Sequence, residues 1–423
     1  MLQQLLRKNR HTPEIHTLTI GEVIEPVQRS RWRRKPATKP MVGLRDAQVL
    51  QHTIIIGQAI TGKTRLTRNL AGQAMAAGAS VLYLDYRRDA ELAMELAEIA
   101  LEKEFADIGQ ACSARFKWVD PITDLNPGYN PLHIGDIVNL ADRLGWYLPE
   151  CGIGAIALEA VIGGLLDIGE PGHLPRILQT LQSVDRLQTL ANREELHINT
   201  RTHLNMLLDQ YRSSHGGLLH EQPYLRDIGD FLLGLQALTD PELAPVLGTV
   251  DESFNLEDAL QDRGTIHYMG LDAASPGRQL FRRLVINDLR EAVARRYPRV
   301  AEPAPAPLAL VVLDGLPVQE LEHLAWLTGT LEMARVARVG FVLNFDCRNL
   351  DGLMTDGQEY FSWPLQELMA MLGTHVICNS YEKWPSGQCA KVFRPDEYRP
   401  LGVGEAFVLR GSGEVSRVRI PAR

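Results

Sequence analysis

One segment of the sequence has the residue types and the spacing of a phosphate-binding loop. Residues 57–64 read GQAITGKT and fit the pattern G-x-x-x-x-G-K-[ST] at every fixed position. In such a loop backbone N–H groups surround a β-phosphate, the lysine reaches the β- and γ-phosphate oxygens, and the hydroxyl binds Mg²⁺. The sequence therefore predicts that ATP binds here with Mg²⁺. The predicted nucleotide-binding residues are Gly57, Gln58, Ala59, Ile60, Thr61, Gly62, Lys63, Thr64 and Arg65.

ATP chemistry also needs a carboxylate in the Mg²⁺ shell. Asp314 follows the apolar run 308–313, so it lies at the carboxyl end of a predicted buried strand, where α/β sheets place their ligands. Asp85 ends another strand-like run and competes for the same role. We expect Lys63 and Asp314 to act in catalysis, with Thr64 and Asp314 as the metal ligands.

The residue after Asp314 bears on whether the nucleotide is hydrolysed. Many P-loop motors have a glutamate there that polarises the attacking water, whereas this chain has Gly315. Glu320 and Glu322 follow on a predicted helix, but exposed helix residues are the more ordinary interpretation of both. We expect slow turnover, and we expect Gly315→Glu to raise it unless the glycine is needed for a backbone angle.

The phosphate loop needs a strand before it and a helix after it, and the sequence predicts both. The run 53–56 reads TIII, and apolar residues recur at helical spacing after Lys63. Strands alternate with helices up to about residue 134 and again from residue 265, which indicates a parallel α/β sheet. Further strands are predicted at 80–85, 116–120, 265–269, 308–313, 340–345, 375–378, 406–409 and 415–420.

The length of 423 residues exceeds one ordinary domain. Between residues 134 and 245 we find only helical periodicity, and before residue 47 the chain is polar and interrupted by prolines. The all-α stretch is expected to recognise a substrate or an adaptor. The predicted segments are a basic N-terminal arm at 1–46, a nucleotide-binding domain at 47–133 and 246–423, and an inserted all-α domain at 134–245.

Composition and charge narrow the class of protein. Apolar residues make up 45% and the net charge is −8, which argues for a globular chain and against a uniformly basic nucleic-acid-binding protein. The basic run 29–35 fits the phosphates of nucleic acid or of anionic lipid, although a solvated arm explains it as well. The chain has no apolar run of membrane-spanning length, no signal peptide and five scattered cysteines, which we interpret as buried thiols. We expect a cytoplasmic protein, at the inner-membrane face if the arm binds lipid.

The order of these motifs resembles that of the coupling proteins of type IV secretion and conjugation, the TraD/TraG group of the HerA/FtsK superfamily. The resemblance covers about residues 50–420. It rests on the phosphate loop, LYLDYRRDAEL at 82–92, YNPL at 129–132, LVVLDG at 310–315 and LEMAR at 331–335 before VGFVLNFD. It implies a P-loop α/β fold with a mainly parallel sheet, RecA-like and of the HerA/FtsK type, with the all-α domain inserted.

The resemblance also implies function. Family members are ATPases, commonly hexameric, that recruit DNA or protein substrates and feed them to a secretion channel. Lys63 and Thr64 match the phosphate and Mg²⁺ ligands, Asp314 matches the second-strand aspartate, and Arg335 lies where a charged residue approaches the nucleotide of the next subunit. The implied partners are further copies of the chain, components of the secretion system, and DNA or protein.

Three departures from the family pattern keep other functions open. Gly315 stands for the usual glutamate, Asp346 stands for a usual glutamine at the end of the next strand, and the usual membrane-spanning N-terminus is not found. The chain is therefore interpreted either as a coupling-protein-like motor or as a nucleotide-binding pseudo-ATPase scaffold of such a complex. A cytosolic DNA translocase of the HerA type is the third hypothesis.

Overall fold

The computed structural model describes most of the chain. The described residues are 17–26, 40–57, 59–106, 115–120, 128–132, 140–141, 144, 152–170, 173–213, 219–247, 254–299, 306–317, 325–346, 363–378 and 401–422. Gln58, Glu320, Glu322 and the basic run 29–35 lie outside these ranges. Of the five cysteines, only Cys378 is described, and it is a buried thiol as predicted.

The strands are β1 (Thr17–Pro26), β2 (Met41–Arg45), β3 (Thr53–Gly57), β4 (Ser80–Asp85), β5 (Phe116–Val119), β6 (Ile266–Gly270), β7 (Ala309–Leu316), β8 (Val339–Asp346), β9 (Thr374–Cys378), β10 (Glu405–Arg410) and β11 (Val415–Arg419). The helices are α1 (Asp46–Val49), α2 (Lys63–Ala76), α3 (Ala90–Ala106), α4 (Gly152–Asp167), α5 (Leu174–Leu181), α6 (Val184–Ala191), α7 (Ile198–Asp209), α8 (Glu221–Leu238), α9 (Ala244–Leu247), α10 (Leu256–Ala259), α11 (Pro276–Arg299), α12 (Ala325–Val336) and α13 (Trp363–Met371).

All eleven strands form one sheet in the order β2-β1-β11-β10-β9-β3-β8-β7-β4-β6-β5. Strand β3 pairs in parallel with β8 and β9, and β7 pairs in parallel with β4 and β8. Strands β2, β1, β11, β10 and β9 are joined by antiparallel pairs. The central strands are buried along their whole length, as expected of parallel strands covered on both faces. The predicted α/β fold with a mainly parallel core is confirmed.

Two strands lie where the sequence analysis placed an arm. Strand β1 joins the antiparallel part of the sheet between β2 and β11, and its residues Leu18 and Ile20 are buried. The register of β1 shifts between Thr19 and Gly21, so both Ile20 and Gly21 are buried in succession. This irregularity breaks the apolar alternation that would have revealed a strand. The segment 1–46 is therefore not an arm throughout.

The chain divides into two units at places that differ from the predicted limits. One unit is Met1–Phe116, Leu260–Tyr268 and Val293–Arg423, and the other is Lys117–Ala259 and Met269–Ala292. The described elements between residues 134 and 245 are helices, apart from an isolated bridge between Arg212 and Leu219. The second unit is larger than the predicted insertion because it also takes flanking segments and most of α11.

Tyr129 of the YNPL motif shows why these flanking segments belong to the helical unit. Its ring is fully buried and contacts the rings of Phe254 and Phe281. Its hydroxyl donates to Asp288 Oδ2 at 2.7 Å. Residues that are far apart in sequence thus share one small core, which a local pattern does not reveal.

Close helix packing organises the rest of this unit. A Cβ on Gly154 of α4 would lie 2.7 Å from the Phe231 ring of α8, and a Cβ on Gly164 would lie 2.8 Å from Leu190 of α6. The glycines therefore let α4 approach both neighbours closely. No helix of the described residues is long and apolar enough to cross a membrane.

At the amino-terminal ends of the parallel strands, buried polar side chains bind the backbone. His52, just before β3, accepts from the Phe341 N–H at Nδ1 (3.1 Å), while its Nε2 lies 2.9 Å from the Leu331 carbonyl. Burial lowers the pKa of His52 to about 4, so the ring is neutral near pH 7. Arg296 is 1% exposed and donates to the carbonyls of Ala337, Leu260 and Pro307.

Candidate nucleotide-binding site

The phosphate loop forms the turn between β3 and α2, as the sequence predicts. Gly57 ends β3 beside β9, where a Cβ would lie 2.2 Å from the Cys378 carbonyl oxygen, so only glycine fits. Gly62 has a φ of 99° and precedes the first residue of α2. Ile60 has a φ of 64°, a rare conformation for a β-branched residue, and is 90% exposed. The loop is therefore held in a tightly curled backbone, of the kind that forms anion-binding concavities.

Lys63 and Thr64 open helix α2, where backbone N–H groups and the helix dipole favour an anion. The ammonium of Lys63 is buried and donates to the Gly57 carbonyl at 2.5 Å, so it lies inside the loop. The Thr64 hydroxyl accepts from Nη2 of Arg87 at 3.0 Å. The roles of both side chains toward phosphate and metal stay predictions.

A cleft of about 560 Å³ opens at the phosphate loop. This volume lies within the usual range for small-molecule sites. One side of the cleft is formed by Val403 and Gly404, which lie in the turn before β10 and were not predicted, and Gly404 donates its N–H to the Thr61 carbonyl at 3.3 Å. The cleft is lined by Ala59, Ile60, Thr61, Gly62, Lys63, Thr64, Arg65, Arg87, Gly315, Asn344, Val403 and Gly404.

Asp314 is fully buried at the carboxyl end of β7, and its two carboxylate oxygens have several partners. Oδ1 accepts from Asn344 Nδ2 at 2.5 Å and from Arg87 Nη2 at 2.9 Å. Oδ2 accepts from the Tyr83 hydroxyl and lies 3.1 Å from the Thr67 hydroxyl. Burial and the Asp314 charge raise the pKa of Tyr83 well above its usual value, so the phenol stays a donor.

Asp85, the competing carboxylate, holds the loop that follows β4. Its oxygens accept the N–H groups of Arg87 at 2.9 Å and Asp89 at 2.7 Å, and the Tyr268 hydroxyl at 2.9 Å. Burial raises the pKa of Asp85, and the neighbouring Asp314 raises it further. Asp85 thus shapes this loop by binding its backbone N–H groups, whereas the partners of Asp314 include the side chains of Arg87 and Asn344, which line the cleft. This difference favours Asp314 over Asp85 as the carboxylate of the site.

Arg87 is the charged side chain that the sequence analysis missed. One nitrogen, Nη2, donates to both Thr64 and Asp314, and Nε lies 3.8 Å from Asp85 Oδ1. Burial alone would lower its pKa, but Asp314 and Asp85 raise the pKa overall, so the guanidinium stays charged. The Thr64 hydroxyl and the Asp314 carboxylate therefore meet at one cationic atom. As arranged, they do not fit Mg²⁺, and their assignment as metal ligands stays a prediction that requires Arg87 to move.

Gly315 also faces Arg87. Its φ is 76°, and a Cβ there would lie 2.9 Å from Arg87 Nε and 3.0 Å from Arg87 Cγ. The expectation that Gly315→Glu raises turnover does not fit this geometry, because the new side chain would clash with Arg87 in a backbone conformation that favours glycine.

Among the described residues, no group of three or more His, Cys, Asp or Glu side chains is arranged to bind a metal.

Gly57, Asp314 and the remaining predicted residues lie outside the cleft lining. Arg335 is exposed on α12 and donates to the Met371 carbonyl, and its role toward a neighbouring subunit stays a prediction. Asp346 ends β8, where its backbone is paired with Gly57. Asn344, which binds Asp314, lies two residues earlier on the same strand and was missed because an amide in an apolar run carries no motif.

Comparison with known proteins rests on structure alone, since no protein-family model and no curated protein matches the sequence. The bacterial conjugative coupling protein TrwBdeltaN70, in an unbound form, matches with a TM-score of 0.60 at 15% identity over 95% of this chain and 93% of that chain. The plasmid coupling protein TrwB in complex with ADP and Mg²⁺ matches with a TM-score of 0.59 at 15% identity, over 97% of this chain and 95% of that chain. VirB4 of Thermoanaerobacter pseudethanolicus matches with a TM-score of 0.53 at 12% identity, over 96% of each chain. The chain therefore has the P-loop α/β fold of the conjugative coupling protein TrwB.

Proposed function

We propose that this chain binds ATP at residues 57–65 and acts as a coupling-protein-like component of a type IV secretion or conjugative DNA transfer system. The observation that carries the proposal is the phosphate loop itself. It lies at a strand-to-helix turn, with Gly62 in the left-handed conformation and Lys63 inside the loop, at the mouth of a cleft of about 560 Å³.

The fold supports the same proposal. TrwB is a conjugative coupling protein and has been solved with ADP and Mg²⁺, and it covers nearly the whole of this chain. A triphosphate in the cleft would meet the N-terminus of α2 and, after rotation of its side chain, the Lys63 ammonium. Each is an ordinary source of phosphate affinity. ATP is therefore the ligand that we propose for the loop.

The partners follow from the resemblance to coupling proteins. We propose a homo-oligomer, a hexameric ring, in which Arg335 approaches the nucleotide of the next subunit. DNA or protein is the substrate recruited, and the basic run 29–35 provides for contact with the inner-membrane face or with nucleic acid. We further propose that the chain assembles with components of the secretion system or with an active paralogue.

A second candidate function is a nucleotide-binding scaffold that hydrolyses little ATP. It is favoured by Gly315, which has no side chain to polarise water and whose Cα faces Arg87. A positioned carboxylate typically contributes about 10²–10⁴-fold to such a rate. The scaffold needs the same nucleotide site as the motor, so binding alone does not separate the two functions.

The experiment that tests the proposal measures nucleotide binding, turnover and assembly on the full chain. A fluorescent ATP analogue is expected to bind, and single-stranded and double-stranded DNA are added to a steady-state ATPase assay. Turnover of about 1–100 s⁻¹ that rises with DNA would support the motor, and far slower turnover with intact binding would support the scaffold. Light scattering with and without nucleotide tests the ring. Failure to bind any nucleoside triphosphate would overturn both functions.

A further inference from the structure

The side chain of Arg87 bridges two polar groups beside the phosphate loop. Nη2 of Arg87 donates to Thr64 Oγ1 at 3.0 Å and to Asp314 Oδ1 at 2.9 Å. These two oxygens are the ones that a P-loop site would offer to Mg²⁺ from the protein side. A single positive nitrogen therefore bridges the hydroxyl of α2 and the carboxylate of β7.

The loop after β4 is built to hold Arg87 in this place. The Asp85 carboxylate accepts the backbone N–H of Arg87 at 2.9 Å and that of Asp89 at 2.7 Å, which fixes the turn from which the side chain leaves. Arg87 is 47% exposed, so its outer face is open to the cleft while its inner face neutralises two fully buried carboxylates. A guanidinium has donors to spare for a phosphate on that open face.

Gly315 gives an independent reason to place Arg87 here. The Cγ, Cδ and Nε atoms of Arg87 would lie 3.0, 3.1 and 2.9 Å from a Cβ on residue 315. The stem of Arg87 thus runs past residue 315 of β7, where a side chain would obstruct it. The arginine that fills the cation position and the glycine that makes room for it fit each other.

We propose that Arg87 is a resident cation that takes the place of Mg²⁺ between Thr64 and Asp314, so that the chain binds nucleotide phosphates without a divalent metal. The proposal rests on nucleotide binding at the phosphate loop. Arg87 neutralises the negative charge of Asp314, and it presents its remaining N–H donors to the phosphate oxygens. The carboxylate is thereby kept from repelling the anionic ligand.

The test is the affinity of the full chain for mant-ATP in excess Mg²⁺ and in EDTA. In the wild-type protein the two dissociation constants are expected to agree within about threefold, because the protein supplies the cation. In Arg87→Ala, Asp314 faces the phosphate, so binding in EDTA is expected to weaken and Mg²⁺ to restore at least about tenfold in affinity. This gain of metal dependence is a readout that mere loss of stability does not produce.

Arg176→Ala is the matched control. Arg176 is 43% exposed, similar to Arg87, and its Nε lies 3.0 Å from Glu170 Oε2, but this partner is an exposed carboxylate and Arg176 belongs to α5 of the helical unit. Its variant is expected to keep the wild-type ratio. A wild-type protein that needs Mg²⁺ for tight binding would overturn the inference while leaving the proposed function in place. No binding in either buffer would overturn both, and the wild-type ratio decides even if Arg87→Ala fails to fold.

Discussion

The two ends of the parallel strands treat buried polar groups in different ways. At the amino-terminal ends, His52 and Arg296 bind backbone carbonyls and an N–H that belong to the neighbouring segments. At the carboxyl ends, Lys63, Arg87 and Asp314 lie at the phosphate loop, and charged side chains bind one another beside an open cleft. The buried polar side chains at the amino-terminal ends connect neighbouring segments of the backbone. The charged side chains at the carboxyl ends lie beside the cleft, where a ligand can contact them.

The difference teaches how to separate stability from function in this fold. His52 and Arg296 bind backbone groups at the end of the strands opposite the cleft and do not line it, so substituting them is expected to change the free energy of unfolding. A charged group with an exposed face has partners that a phosphate can replace. Substitutions at the carboxyl ends are therefore expected to change binding, and substitutions at the amino ends are expected to change stability.

Lys63→Ala is expected to have the largest effect on binding. Loss of the ammonium removes a charge-assisted contact to phosphate, which should weaken mant-ATP binding by roughly a hundredfold. The melting temperature should change little, because the side chain lies in a loop mouth and not in the apolar core. Lys117→Ala, at an exposed position of β5, serves as the control. Unchanged affinity in Lys63→Ala would contradict the phosphate-loop assignment.

Arg296→Leu is the counterpart at the amino ends. The variant leaves the buried carbonyls of Ala337, Leu260 and Pro307 without this donor, and is expected to lower the free energy of unfolding by about 3–5 kcal/mol. Urea denaturation measures the change, with the exposed Arg263→Leu as the control. Nucleotide affinity of the folded variant should equal that of the wild type. A loss of affinity without a loss of stability would break the comparison.

His52 is expected to make the free energy of unfolding depend on pH. Its folded-state pKa of about 4 lies below the ordinary value of 6.5, so its contribution to stability is present above pH 6.5 and is lost as the pH falls toward 4. Between pH 7 and pH 5 this should cost about 2 kcal/mol. The variant His52→Gln should lose that component of the pH dependence in urea denaturation. The exposed His203→Gln should retain it, and an equal slope in wild type and His52→Gln would refute the assignment.

The smallest effect is the expected difference between Gly315→Ala and Gly413→Ala. Gly315 and Gly413 have similar φ angles, 76° and 80°, but a Cβ on Gly413 would meet nothing within 4 Å. Alanine at 413 should therefore cost about 1 kcal/mol from the backbone alone, and alanine at 315 about 1 kcal/mol more from contact with Arg87. In the Arg87→Ala background the two costs should become equal. A persistent difference would show that Arg87 does not set the need for glycine.

The sequence alone determined the phosphate loop and most of the sheet. The motif at 57–64 is local, and the central strands are buried on both faces, so their apolar runs can be recognised without knowing their neighbours. Strands β1 and β2 escaped because β1 is irregular at Gly21 and β2 is short, so neither presents a sustained period. The helical periodicity between residues 134 and 245 could also be recognised in the sequence, but the flanking segments that belong to the same unit could not.

Only the tertiary structure decided what stands beside Asp314. Arg87 is 227 residues away in sequence, and the two meet because β4 pairs in parallel with β7 so that Asp85 lies opposite Asp314. An apolar period reports that a strand is buried, but it carries no information about which strand lies next to it. The contact between Arg87 and Asp314, and the glycine that accommodates Arg87, therefore result from strand order. Asp314 could be selected from the sequence as a candidate, but its contact with Arg87 depends on the pairing of β4 with β7.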